Sequence, residues 1–469
     1  MFRSIAFVIF LLASFVHAKV VVNDITQLNP IEVTSVFQPT SVEQIQEFIK
    51  NNKGKISIGG GRYSMGGQTA LEGTLHIDMR RMNKVVRLDV KKKQVTVEAG
   101  IRWRQLQEII DPHELSIKIM QTYSNFTVGG SLSVNVHGRY VGQGPIIRSV
   151  DSIKLVMADG HIEEASPSQN SELFYGAIGG YGGLGVIVEA TLQLVDNGKV
   201  ERTARSISLK KYSDYFFKSI RNNSNAVFHN GDLYPPDFKD VMAVTWVKSK
   251  KALTDQARLI PANDSYSFQP FAIKMISSSK TGKKLRQSVI DPISYKKTVV
   301  VWRNHEASYD VAELEPKSRS ETTYVLQEYF VPVGKLVEFV DSVRPLLKTS
   351  IFNVVNVSIR HALPDTGSLL AWAPKEVFSL VIYYRQKTDK KTRKAIAKIT
   401  QDLISAALEV GGSYYLPYQI HATSEQFHQA YPKAKEFFAL KQKWDPLNRL
   451  TNSLWDRYYK PEPIAPTTE

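Results

Sequence analysis

The sequence predicts an α+β protein, and three observations carry that reading. Short strand and helix patterns alternate through residues 41–110. Three glycine-rich clusters, at residues 58–68, 127–138 and 179–187, punctuate the strand pattern. Beyond residue 198 the punctuation changes to lysine-rich loops with two long amphipathic helices. At 469 residues the chain has room for two folded units, since domains usually run ~100–200 residues. A hydrophobic share of 43% against 22% charged residues excludes a disordered chain.

The elements follow in order. Ser41-Val42-Glu43-Gln44 reads as a capping box, after which Val42, Ile45, Phe48 and Ile49 repeat at helical spacing. Strands are predicted at residues 55–58, 75–78 and 95–98, and a helix over 103–110. A further strand at 152–158 runs into a tight turn at Asp159-Gly160. Residues 186–195 alternate, with Val186, Val188, Ala190 and Leu192 on one face and Glu189, Thr191 and Gln193 on the other. A boundary falls near Asn197-Gly198-Lys199. In the second region one helix is predicted over 335–347, with Leu336, Phe339, Val340, Val343 and Leu347 on one face and Pro345 kinking or shortening its last turn. Another spans 391–410, with a stripe of Ile396, Ile399, Leu403, Ala407 and Val410 and Gly411 as its stop. A strand lies between them at 377–384.

The N-terminus reads as a secretory signal peptide over residues 1–18. Arg3 is the basic start, residues 5–16 are apolar, and Val16-His17-Ala18 offers a cleavage site before Lys19. The run is too short for the roughly 20 residues of a bilayer span. The expectation is export, to a periplasm or to the outside. Cysteine is absent, which excludes a thiol nucleophile, a zinc-thiolate site and a lipidated N-terminal cysteine. The net charge is +15, but its basic residues are scattered, as at Lys91-Lys92-Lys93, Lys283-Lys284 and Lys390-Lys391. None is interleaved with aromatics, so no specific nucleic-acid partner is expected. Asn-x-Ser/Thr sites stand at Asn125, Asn222, Asn263 and Asn356.

The glycine clusters carry the chemistry. The first, Gly59-Gly60-Gly61 through Gly66-Gly67 to Gln68, directly follows a strand, and its backbone N–H groups can turn inward as a nest for a phosphate. No Lys-Ser/Thr pair follows, so it is not a P-loop. The second, from Thr127 to Gly138, is made of small residues that let a flat ligand approach the backbone. The third contains a formal G-x-G-x-x-G from Gly180 to Gly185. A Rossmann fingerprint must follow a strand and open a helix, whereas this one follows a helical pattern and opens a strand.

Taken together, these clusters resemble the FAD-binding, PCMH-type domain of the vanillyl-alcohol oxidase / p-cresol methylhydroxylase superfamily. The resemblance covers about residues 31–196. Its motifs stand in the family's order: P-T-S-V-E-Q-I from Pro39, the Gly59–Gly67 loop, V-E-A-G at Val97–Gly100, T-V-G-G at Thr127–Gly130 and H-G-R at His137–Arg139. The run at Gly179–Ile187 completes them. Tyr414–Tyr418, Phe427–Pro432 and Lys443–Asn452 are similar to the segment that returns to the flavin in the aldonolactone and alditol oxidase and decaprenylphosphoryl-ribose oxidase branch. The resemblance implies an FAD domain at 19–197, an α+β substrate cap at 198–412 and a returning segment at 413–469.

It also implies which residues hold FAD. From the first loop these are Gly59, Gly60, Gly61, Arg62, Tyr63, Ser64, Met65, Gly66 and Gln68. The second supplies Thr127, Gly129, Gly130, Ser133, Asn135, His137 and Gly138. The third supplies Gly180, Gly183, Gly185, Val186 and Ile187, and the returning segment Asn452. Many relatives link FAD to a histidine of the first loop, but Tyr63 stands at that position here, so the flavin is expected to be non-covalent. Where the lactone and alditol oxidases carry Glu-x-Arg, this chain has Ser358-Ile359-Arg360, with the arginine kept and the carboxylate lost. Where the decaprenylphosphoryl-ribose enzymes carry a lysine, Tyr418 stands.

The implied reaction is hydride transfer from a CH–OH carbon to flavin, on a sugar alcohol, aldonolactone or glycosyl substrate, with oxygen or another acceptor taking the electrons. Val136, next to His137, is expected where bulk near the flavin would hinder oxygen, which favours a dehydrogenase with another electron acceptor. The candidate catalytic residues are His137, as base or flavin contact; Arg360, as a cation for reduced flavin or a substrate grip; and Tyr418, as a substrate-positioning hydroxyl. His421 is a lesser candidate. No metal site is predicted. The rival readings are oxidation of an amine or phenol, reduction of a double bond, and a basic exported binding protein without catalysis.

Overall fold

The computed structural model describes residues 20–261, 279–314, 316 and 318–461. The signal-peptide expectation and Asn263 lie outside the described residues. The α+β expectation is met, and three sheets position everything that follows.

A small parallel sheet runs in the order Ser35–Phe37, Leu75–Asp78, Ile56–Gly59. The helix Val42–Asn51 supplies the crossover between its first and last strands. Ser41 caps that helix by accepting from the Gln44 N–H, and Ile45 and Ile49 are its buried pair. The reciprocal arm of the expected capping box is shifted by one residue, because Gln44 Oε1 accepts from the Thr40 N–H at 2.8 Å. The strand Ile56–Gly59 ends in the first glycine loop.

Next to it lies an antiparallel sheet in the order Ile162–Ala165, Val150–Val156, Val186–Asp196, Gln94–Glu98, Val85–Asp89, with Leu115–Ile117 beside the far end of Val186–Asp196. The central strand keeps its predicted alternation: Val186, Val188, Ala190 and Leu192 are buried, while Glu189, Thr191 and Gln193 are half-buried. Gly160, at φ +90, makes the hairpin turn after Val150–Val156. That left-handed conformation costs glycine nothing sterically.

At residues 197–198 the chain passes into an eight-stranded antiparallel sheet. Its order is Val300–Trp302, Lys199–Ser208, Asp240–Lys248, Ala226–Leu233, Asn353–Ala362, Val377–Lys387, Thr322–Pro332, Ser413–Tyr414. The helices Leu336–Leu347 and Lys390–Glu409 pack together over it, the first burying all five predicted apolar positions. Pro345 neither ends nor shortens that helix. It stands in the last turn, where its missing N–H forfeits a single ladder bond. Asp389 caps the second helix by accepting from the Thr392 N–H at 2.9 Å, and Gly411 at φ +74 ends it.

The C-terminal segment then returns to the first sheet. The Ile56 N–H donates to the Arg449 carbonyl at 2.6 Å and the Thr451 N–H to the Ile56 carbonyl at 2.9 Å, so the returning chain pairs with the strand that launches the glycine loop. The Arg449 guanidinium donates to the carbonyls of Ile49, Asn52 and Ala158. Lys441 is fully buried, with Nζ 2.8 Å from the Gly183 and Leu450 carbonyls and 2.9 Å from Asp445 Oδ2. No helix among the described residues is long and apolar enough to cross a membrane.

Two outcomes follow from this packing. Lys441→Met leaves Asp445 buried without its cation and is expected to destabilise the fold by ~3–5 kcal/mol, read by denaturant unfolding. Burial also pushes the imidazoles of His76 and His361 down to about 4 and that of His229 to about 3. Each folded histidine therefore binds fewer protons than its unfolded counterpart, which titrates near ~6.5. Stability should fall as pH drops from about 6.5 toward 4, by up to ~1.4 kcal/mol per pH unit for each histidine. A thermal midpoint that stays flat across that window contradicts this.

Candidate active site

A cleft of about 1360 Å³, a volume that includes its open mouth, lies where the three glycine clusters face the eight-stranded sheet. Gly59 to Met65, Gln68, Thr127, Gly129, Gly130, Ser133, His137, Gly185 and Ile187 line it on the glycine side. Leu326, Glu328, Arg360 and Val381 line it from the sheet, and Tyr415, Pro417 and Tyr418 from the returning segment.

The first loop is locked by contacts too close for side chains. A Cβ on Gly60 would stand 2.3 Å from Thr127 Oγ1, and one on Gly59 2.7 Å from His76 Nε2. Thr127 Oγ1 accepts from the Gly61 N–H at 3.3 Å and also caps the helix Val128–Ser133 through the Gly130 N–H. Arg62, at φ +62, reaches Asp78 Oδ2 at 3.3 Å, and Arg80 reaches the same oxygen at 2.5 Å. Burial pushes the Asp78 carboxyl up, but the two arginines hold it below its ordinary value. Arg62 Nε and His76 Nε2 are buried without a hydrogen-bond partner. Tyr63 stacks on Phe126, with ring centroids 4.3 Å apart. Gln68 ties the loop to the returning segment, donating to the Leu416 and Tyr418 carbonyls at 2.6 and 2.7 Å and accepting from the Gly66 N–H at 2.8 Å. A side-chain-intolerant backbone cradle and an orphaned guanidinium nitrogen, in a cleft lined by all three glycine clusters, fit a flavin dinucleotide with its pyrophosphate on the first loop.

Seven of the residues expected at the cofactor do not line the cleft. Asn135 is fully buried as a knot, donating to Asp365 and Ser368 and accepting from the Ile147 N–H and Trp372 Nε1. Asn452 caps the helix Ser453–Tyr458 and donates to the Tyr181 carbonyl at 2.8 Å. Gly66, Gly138, Gly180 and Gly183 are close-packing positions, where a Cβ would lie within 2.7 Å of Tyr418 O, Met120 O, Gly176 O and Trp455 Nε1 respectively. Val186 points into the core of its sheet. The third cluster follows the helix Ser171–Ala177 and opens the strand Val186–Asp196, as its non-Rossmann reading requires. It reaches the cleft through Tyr181, Gly182 and Gly185. His421 does not line the cleft.

The three candidate catalytic residues meet around a group the sequence reading missed. Glu328 is 2% exposed and lies on Thr322–Pro332. Its Oε1 is 2.5 Å from His137 Nε2 and accepts from the Ser379 hydroxyl, while its Oε2 accepts from the Tyr418 hydroxyl at 3.2 Å. The register explains the meeting. Val381 pairs with both Glu328 and Ser358, and Ser379 pairs with both Phe330 and Arg360. Side chains two apart on a strand share a face, so Glu328, Ser358, Arg360, Ser379 and Val381 project from one face. Position 358 carries no carboxylate, as expected, and Glu328 stands at the same level two strands away. Burial pushes the Glu328 carboxyl up, but His137, Arg360 and Ser379 together hold it below its ordinary value. Burial, with Glu328 next, raises the Tyr418 hydroxyl well above the usual range. Burial lowers the Arg360 guanidinium, against the pull of Glu328, and its Nε has no partner. The signal that was available is a glutamate inside the otherwise mostly apolar strand from Tyr324 to Pro332, since buried acids require specific partners. Val136 also lines the cleft.

A glycine-lined dinucleotide cleft with a polar, charged corner defines a flavin-dependent enzyme. The FAD binding domain family matches residues 33–166. L-gulonolactone oxidase of Bos taurus is 24% identical over 443 residues, covering 90% of this chain and 94% of that protein. Decaprenylphosphoryl-beta-D-ribose oxidase of Mycolicibacterium smegmatis is 22% identical, covering 85% of this chain and 87% of its own length. Among solved structures, a solvent-stable cholesterol oxidase shares the fold at a TM-score of 0.69 and 15% identity, covering 94% of this chain and 97% of that one. The chain carries a PCMH-type FAD-binding domain and is an FAD-dependent oxidoreductase.

Gly60→Val is expected to push the first loop off Thr127 and to lower the flavin-to-protein absorbance ratio of the purified protein severalfold. An unchanged ratio would show that this loop does not hold the cofactor.

Proposed function

We propose that this protein oxidises a CH–OH group of a sugar-derived lactone, polyol or glycosyl compound, using non-covalently held FAD, and that it works after export. One observation carries the reading: the flavin cleft ends in a corner where a carboxylate, a guanidinium, an imidazole and a phenol converge. Such a set suits a hydroxylated substrate, which needs partners for both donors and acceptors. The names of the lactone and ribose oxidases among its relatives agree with that class. FAD, when bound, supplies the hydride acceptor. Arg360, with an unpartnered Nε, grips a substrate oxygen. Gly59, Gly60 and Gly61 with Arg62 hold the pyrophosphate, and Tyr63 with Phe126 supports the cofactor from one side.

The non-covalent reading is supported by Tyr63 at the loop position and by the absence of cysteine. His137 is an unsuitable attachment point, because Nε2 is engaged by Glu328 and Nδ1 faces the Gly138 carbonyl at 3.4 Å. Export is supported by the sequence of residues 1–18.

Purified protein is expected to be yellow, and acid precipitation should release the flavin into the supernatant. Flavin that stays with the precipitate contradicts non-covalent binding. Under anaerobic conditions, sugar alcohols, aldonolactones or glycosyl lipids should bleach the flavin, whereas bleaching by amines or phenols alone would defeat the CH–OH assignment. Recovery of the protein outside the cytoplasm with Lys19 at its N-terminus is the result expected for export.

A further inference from the structure

The corner around Glu328 supports a finer reading, which rests on the oxidation proposed above. A CH–OH group that gives up a hydride must also lose its hydroxyl proton, so the cleft needs a group to take it. His137 suits that task by residue type, but its geometry does not. Nε2 is engaged by Glu328 Oε1 at 2.5 Å and Nδ1 is turned to the Gly138 carbonyl at 3.4 Å, so both ring nitrogens face protein groups. Arg360 is a permanent cation and accepts no proton. Glu328 remains. Its Oε1 is shared by His137 and Ser379, whereas its Oε2 receives the Tyr418 hydroxyl at 3.2 Å. Glu328 and Tyr418 both line the cleft.

We propose that Glu328 Oε2 is the proton acceptor of the oxidation, reached through the Tyr418 hydroxyl, with His137 and Ser379 as positioning residues that hold its other oxygen. As the substrate C–H bond breaks, its electron pair leaves as hydride to the isoalloxazine of FAD, a two-electron reduction. The hydroxyl O–H bond breaks with it, and the freed electron pair on oxygen completes the carbonyl. The proton passes to Tyr418 Oη while the phenolic proton of Tyr418 passes to Glu328 Oε2. Charge and atoms balance with no further reactant. His137 and Arg360 keep the resting carboxyl ionised, so it is ready to accept.

The test uses holoenzyme and a compound from the panel above that bleaches wild-type flavin. Flavin content and reduction by dithionite are measured first for Glu328→Gln, Glu328→Ala and Tyr418→Phe, which separates a lost cofactor from a lost base. In anaerobic rapid mixing, both Glu328 variants are expected to reduce flavin ~10²–10⁴-fold more slowly, the range of general base catalysis. Added formate should restore part of the rate in Glu328→Ala and leave Glu328→Gln unchanged. Tyr418→Phe should also be slowed, by at least ~10-fold by the same effect. Wild-type rates in Glu328→Gln or in Tyr418→Phe would overturn the relay, as would a slow Glu328→Ala that formate does not accelerate. If Glu328→Ala fails to hold flavin, Glu328→Asp replaces it; a rate well above that of Glu328→Gln is expected, and an equal rate overturns the proposal. A wild-type flavin that no CH–OH compound bleaches, yet dithionite reduces, instead defeats the parent assignment.

Discussion

A carboxylate removed from water must be surrounded by donors, and Glu328 draws its donors from separate stretches of chain. His137 comes from the second glycine cluster, Ser379 from the neighbouring strand, and Tyr418 from the segment that returns after residue 412. Arg360 adds its field from the strand beyond. An unpaired buried charge is strongly destabilising, because little else compensates the lost hydration. The requirement therefore clamps the flavin side of the cleft, the sheet and the returning segment into one relative arrangement. The same atoms form the polar corner of the active site, so the constraint that closes the structure also equips it.

The opposite side of the cleft obeys a different constraint, that of close backbone approach. The first loop lies against Thr127 and His76 at distances that admit no Cβ, and Gln68 then fastens it to the Leu416 and Tyr418 carbonyls. The third cluster is held from behind by Lys441, whose ammonium joins the Gly183 carbonyl to Asp445 and to the Leu450 carbonyl. The returning segment touches both loops and supplies Tyr418. The glycine loops and the polar corner are thus fixed by one stretch of chain, which pairs with the large sheet at Ser413–Tyr414 and with Ile56 at Leu450.

Much of this was legible before any coordinates. The helix Trp103–Ile110 and the alternating face of Val186–Asp196 follow from periodicity, since each buries one stripe or face against a core. The glycine loops announce themselves because glycine is the residue that tolerates such approach. The formal dinucleotide fingerprint at Gly180–Gly185 was correctly set aside on its context alone. Composition does not, however, distinguish a glycine that lines a cleft from one that packs behind its wall, as Gly66, Gly138, Gly180 and Gly183 do. Asn135 and Asn452 show the same limit for polar residues, whose partners in a knot or a helix cap lie far away in sequence.

The sequence by itself determined the fold class, the flavin and the glycine loops that line the cleft, because backbone geometry and local periodicity are written in neighbouring residues. It also singled out Arg360 and Tyr418, which line the cleft, but it offered no carboxylate to stand with them. Only the tertiary structure placed Glu328, since its position depends on the register of three strands pairing across residues 322–387. Register is a long-range property: it is decided when strands far apart in the chain are brought together by their apolar faces. The acid that meets His137, 191 residues away, is therefore visible only in the folded molecule.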